Sequence, residues 1–205
     1  MKAKARGLRA PLRNVDALGA GLTAGMLSEG IAEAYRLIDA IDSTLGVHLS
    51  ELVELANLSA MLGNLVATGI VRASGGAFTR AGAHKYQDLR AAAAHAKNIE
   101  IKVALEKNRP KGHLAKAGHY LCVRYVLCSS GGEYIRKERG PVPWIWEIRF
   151  GYLDDSDFAI SNTAGDSGKT AVVTSNGMRK LRLIYFDEDL SPVARVSEFL
   201  RDYGQ

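Results

Sequence analysis

A change of hydrophobic period near Gly69 constrains this chain more than any other feature. Before it, apolar residues recur every three to four positions, as on one face of a helix. After it they alternate with polar residues, as on a half-buried strand. Ile31, Tyr35, Ile38 and Ile41 carry the helical spacing through 26–44, and Gly46 ends that stretch. A second helix is expected over 49–68, with Ser50 as N-cap and Glu51 and Glu54 in the first turn, where the helix dipole favours anions. On it Glu54, Asn57, Met61 and Asn64 fall at i, i+3, i+7 and i+10, so they share a face that meets either solvent or a site.

Beyond Gly69 the expected strands are IVRAS and AFTR, paired as a hairpin about Gly75-Gly76, then KYQDL, the stretch from Ile99, 119–127 and 143–153. DFAIS, KTAVVT and KLRLIYF follow as further strands, and SPVARVSEFLRDY as a closing helix with Pro192 in its first position. Helices followed by strands, with no internal repeat, no low-complexity tract and no convincing boundary, predict one α/β domain over 26–205. Residues 1–25 form a basic N-terminal arm: no acid precedes Asp16, and no apolar h-region follows the basic start, so it is not a secretory signal. Its Arg, Lys and Ala content also fits an organellar transit peptide; a flexible arm is the simpler reading.

Composition narrows the partners. The chain has 205 residues, 47% hydrophobic and 24% charged, with a net charge of +5. That fits an ordinary globular protein with an acidic partner, nucleic acid before an anionic membrane. No apolar run reaches the length of about 20 residues that a membrane span needs. The cysteines, Cys122 and Cys128, stand about 20 Å apart on one strand, beyond disulfide reach and at no zinc spacing. A reducing, cytoplasmic compartment is expected.

The chemistry concentrates at KNIEIKVA (97–104). Ile99, Ile101 and Val103 take one strand face; Glu100 and Lys102 take the other, about 6–7 Å apart. Asp88 precedes Glu100 by twelve positions, so two adjacent antiparallel strands would bring the carboxylates together. Two converging carboxylates repel and raise one pKa. Mg²⁺ relieves this, since it commonly takes one or two carboxylates together with waters and phosphate oxygens. Lys102 would then reach the scissile phosphate, and the implied chemistry is phosphodiester hydrolysis.

Asp88 followed by Glu100-Ile101-Lys102 resembles the PD-(D/E)XK nuclease superfamily, whose Asp and (D/E)-x-K lie in this order. Gln87 stands where the family's Pro would be, a departure expected to touch no catalytic atom. The resemblance covers 85–102 in motif and 28–130 in element order. It implies an αβββαβ, restriction-endonuclease-like core, a central mixed β-sheet flanked by helices. It also implies Mg²⁺ as cofactor and double-stranded DNA as substrate, with a type II restriction endonuclease acting as a homodimer the first expectation. Asp88 and Glu100 would bind the metal, the Ile101 carbonyl would add a ligand, and Lys102 would polarise the water. Glu54 would be the acid that a preceding helix brings to the site. The alternatives are a repair or structure-selective nuclease of the same fold, or a non-catalytic nucleic-acid-binding module.

The loop after the strand, LEKNRPKGHLAKAGHY, carries Lys107, Arg109, Lys111, His113, Lys116 and His119 against the single acid Glu106. Contacts to the DNA backbone are expected from Arg109, Lys111, His113 and Lys116. In SNTAGDSGKT the P-loop spacing fails, because Thr163 stands where Gly is required. Ser161, Asn162, Ser167, Lys169 and Thr170 there suit phosphate or base-edge contacts, and equally an ordinary turn. Trp144, Trp146 and Ile148 share one strand face by alternation, which suits packing or a dimer surface.

Overall fold

The computed structural model describes residues 5–82, 86–112, 115–161 and 170–204. The first helix, α1 (Ala24–Leu45), starts at Thr23, whose hydroxyl accepts from the Met26 amide, and stops at Gly46. A single turn, α2 (Leu49–Leu52), precedes α3 (Leu55–Ala73). The expected helix from 49 is therefore broken at the extended Val53, and its cap is His48 rather than Ser50, whose hydroxyl donates to the Pro141 carbonyl. Gly69 does not end α3. It lies against Gly30 of α1, where an added Cβ would stand 2.0 Å from the Gly30 carbonyl oxygen. The glycine marks a backbone-to-backbone crossing of two helices, so IVRA stays helical and forms no hairpin strand.

The strands are β1 (Phe78–Arg80), β2 (Leu89–Ala91), β3 (Ile99–Leu105), β4 (Lys111–Gly112), β5 (Gly118–Cys128), β6 (Val142–Leu153), β7 (Phe158–Ser161), β8 (Thr170–Val173) and β9 (Arg182–Phe186). Six build a central mixed sheet in the order β1-β2-β3-β5-β6-β9, with β3 and β5 parallel and the other neighbours antiparallel. A small sheet, β4-β8-β7, lies beside it. Two helices complete the chain, α4 (Ser175–Lys180) and α5 (Val196–Tyr203). The latter begins after Arg195, four residues beyond the expected start at Pro192.

Helices α1 and α3 cover one face of the central sheet, burying Ile31, Ile38, Leu62 and Val66 against Ile99, Ile101, Leu121, Val123 and Ile148. By length and composition α3 is the one described helix apolar enough to cross a membrane, which the count of apolar runs missed. Here its apolar side packs into this core. On the opposite face, Tyr120 and Cys122 pack with Leu153, Val173 and Met178, and Trp146 packs with Phe186 and Phe199 of α5.

The arm is not free. Arg6 donates to Asp39 and to the Pro143 carbonyl and stacks on Tyr35 and Trp144, while the Arg13 amide bonds to the Ile184 carbonyl. Nor do Trp144, Trp146 and Ile148 share a face. Arg124 pairs with Glu147 and Tyr125 with Ile145, so Trp146 is a bulge residue that breaks the alternation. Trp146 turns toward α5 and Ile148 toward α1 and α3, both fully buried within the chain.

Candidate active site

Leu89 pairs with Ile99, which places Asp88 at the mouth of β2 opposite Glu100. Leu89 and Ile99 point into the helix-side core, so Asp88 and Glu100 take the other face. Asp88 Oδ2 accepts from the Ile101 amide at 2.8 Å. Within a strand a residue's N–H and C=O point to the same side, so the Ile101 carbonyl also lies on the Asp88 edge. Glu100 is buried, and both of its oxygens are engaged. Oε2 accepts from the Gln87 amide at 2.8 Å, and Oε1 is ion-paired with Lys102 Nζ. Asp88, Glu100 and Lys102, predicted to meet, are thus brought together.

Gln87 is where the sequence reading falls short. Its φ is 70°, in the left-handed region, and its amide holds Glu100. Proline could supply neither the conformation nor the N–H. The departure from the family pattern therefore does touch a site carboxylate, through the backbone. No side-chain pattern announces a positive φ at Gln, which is why the role is illegible in the sequence.

The segment from Glu106 to Ala117 leads from β3 to its parallel neighbour β5. The resemblance implies a helix here; the described residues hold none, and β4 instead pairs Lys111 with Val172 and Gly112 with Ala171 of β8. Gly112 stands against Lys102, so that an added Cβ would lie 3.0 Å from its Cε and Nζ. Lys107, Arg109 and Lys111 are exposed. Lys116 is half-buried, its ammonium 4.3 Å from the Tyr86 ring centroid, and its carbonyl accepts from the Tyr120 hydroxyl at 2.7 Å. The Tyr86 and Tyr120 hydroxyls lie 3.0 Å apart, with Tyr120 paired in register beside Glu100. Burial, first among the causes, raises both phenol pKa values, with Glu100 adding to the rise, so both stay protonated donors. Sequence reasoning missed Tyr86, Tyr120 and Gly112; the Tyr-Gln-Asp order offered only a hint of the first.

Other candidates fall elsewhere. Glu54 is the exposed N-cap residue of α3, with no side-chain capping bond. Ser59, one turn further along α3, bonds Tyr125 at the Leu105 end of β3. Glu54 thus belongs to the helix-covered face and the far end of the strand, and the structure does not bring it to Glu100. Asn57 and Asn64 of its stripe are exposed as well. His119 lies on the helix side, stacked on Phe150, and burial first, then Lys97, pushes its imidazole pKa down. Ser161 and Thr170 pair in register where β7 ends and β8 begins, one step beyond Gly112. His113, Asn162, Ser167 and Lys169 lie outside the described residues.

Among the described residues no three His, Cys, Asp or Glu side chains form a metal-binding group. Two carboxylates and a carbonyl on one edge still fit Mg²⁺, which fills its remaining positions with water and phosphate oxygens. Asp88, Glu100 and the Ile101 carbonyl are the groups that could hold it. The chain matches no protein-family model, no curated protein and no solved structure.

Proposed function

We propose that the protein is a Mg²⁺-dependent endonuclease of PD-(D/E)XK type that hydrolyses phosphodiester bonds of double-stranded DNA. The observation carrying this reading is the meeting of Asp88, Glu100 and Lys102 on one face of the central sheet, across the β2–β3 pair. Bound Mg²⁺ supplies a nucleophile at neutral pH and neutralises charge on the phosphate. Asp88 and Glu100 would hold it, their orientation set by the Ile101 and Gln87 amides. The Lys102 ammonium stabilises the negative charge that grows on the phosphate as the bond breaks. Arg109 and Lys111, exposed on the segment beside Lys102, pair with the DNA backbone on either side.

One such site cuts one strand, so a type II restriction endonuclease of this size needs a second copy related by a two-fold axis. The homodimer is proposed on that ground alone, because Trp146 and Ile148, read from the sequence as packing or a dimer surface, are buried inside the chain. Long DNA incubated with the protein and Mg²⁺ should give discrete double-strand fragments, and chelator should abolish them. Light scattering should give twice the 22.1 kDa of one chain. Cutting confined to nicks or flaps by a monomer would replace restriction with a repair or structure-selective role.

A non-catalytic nucleic-acid-binding module has one observation in its favour. Both Glu100 oxygens already have donors within the chain, as in a structural ion pair. DNA binding without cleavage at any Mg²⁺ concentration would establish that reading.

A further inference from the structure

Both oxygens of Glu100 are taken, and the two donors differ in kind. The Gln87 amide is part of the backbone, held in a left-handed conformation just before β2. It cannot leave without moving the strand mouth. Lys102 Nζ ends a flexible four-carbon stem that runs past Gly112, where the missing Cβ leaves it room. Its side chain keeps 20% of its surface accessible, against 9% for Glu100. One oxygen is therefore fixed and the other exchangeable. A divalent cation that takes a lone pair of Oε1 meets an ammonium already there, and two cations on one buried oxygen repel.

We propose that Lys102 occupies the cation position of the resting protein, so that its ammonium and the divalent metal compete for Glu100 Oε1. This rests on the nuclease reading and adds a regulatory step to it. Metal binding expels Lys102 from Glu100 toward the side where the cationic segment would lay a phosphate. A phosphate there gives the expelled ammonium a new partner, so substrate tightens metal binding, and metal tightens substrate binding by the same factor. Without DNA the site favours the ion pair over the metal.

The test measures Mg²⁺ affinity by calorimetry in the wild type and in Lys102→Met, which keeps the stem and removes the charge. Acylation of Lys102 in the wild type is followed in parallel by mass spectrometry, with and without Mg²⁺. A hydrogen bond to a charged group is worth a factor of about ten or more, so Lys102→Met should bind Mg²⁺ about tenfold tighter. Saturating Mg²⁺ should also raise the acylation rate of Lys102, because the metal frees it. Lys102→Gln should tighten binding in the same direction, which guards against a packing artefact in one variant. Equal or weaker affinity in both variants, or acylation unchanged at saturating Mg²⁺, overturns the competition and leaves the nuclease reading standing. No Mg²⁺ binding by wild type or variants overturns both.

Discussion

Placing at position 87 the proline of the PD-(D/E)XK pattern should damage this protein, and the structure says by how much. Gln87 has φ 70° and donates its amide to Glu100 Oε2 at 2.8 Å. Gln87→Pro removes the donor and forces φ toward about −65°. The lost hydrogen bond to a charged acceptor costs about 1.5–3 kcal/mol, and the imposed backbone shift brings the total to about 3 kcal/mol or more. At ~2–4 °C per kcal/mol for a chain of this length, Tm should fall by ~6–12 °C. Gln87→Gly separates the two causes. It keeps the N–H and relieves a left-handed conformation costing about 1–2 kcal/mol, against about 0.4–1 kcal/mol of added unfolded-state entropy. Its net effect is thus roughly 0–1.6 kcal/mol of stabilisation. Thermal melts followed by circular dichroism read both variants. A Gln87→Pro variant that melts with the wild type would refute the assigned backbone geometry, and the fixed anchor of Glu100 with it.

Three further outcomes are expected. Arg109→Ala and Lys111→Ala should each weaken DNA binding regardless of sequence and lower the slope of log K against log salt by about 0.9; a slope unchanged in both would return this segment to ordinary solvated surface. Glu147 is buried between Arg124 and Arg149. Glu147→Ala should therefore cost about 3–5 kcal/mol in a urea titration, because two buried guanidinium groups lose their counter-charge. Glu33 is held at a pKa of about 2, against an ordinary 4.5, by hydrogen bonds from Arg36 and Arg72. A depressed carboxylate contributes stability above its unfolded value and loses it as pH falls toward about 2, so Glu33→Gln should flatten the acid limb of a stability–pH curve.

What the sequence makes legible is what repeats along it. Alternation at Ile99, Ile101 and Val103 puts Glu100 and Lys102 on one face, and short antiparallel pairing brings Asp88 across to them. The strands β5 and β6 and the helix α1 were equally readable, their apolar runs being long and regular. What single-residue patterns hide is contact between distant parts. Gly69 looks like a helix stop because nothing in sequence shows that Gly30 lies against it. The basic arm looks free because its partners, Asp39, Pro143 and Trp144, belong to a helix and a strand far along the chain. A one-residue bulge at Trp146 sends Ile148 to the face opposite Trp146, although strict alternation puts the two on one face. Glu54 failed as a site residue for a related reason. The expected stripe put Glu54 inside a helix, whereas it is the N-cap of α3, and the face of the sheet on which α3 packs is a property of the whole fold.

The most direct test of the central claim compares plasmid cleavage by the wild type with that by Asp88→Asn, Glu100→Gln and Lys102→Met, each confirmed folded by its near-wild-type spectrum and melt. With Mg²⁺ the wild type should cut, and each variant should lose about 100-fold or more of its rate, as removal of one charge-stabilising group does. Cleavage by Glu100→Gln at the wild-type rate would contradict the account, for Glu100 is the carboxylate that the Gln87 amide, Lys102 and the proposed metal all converge upon.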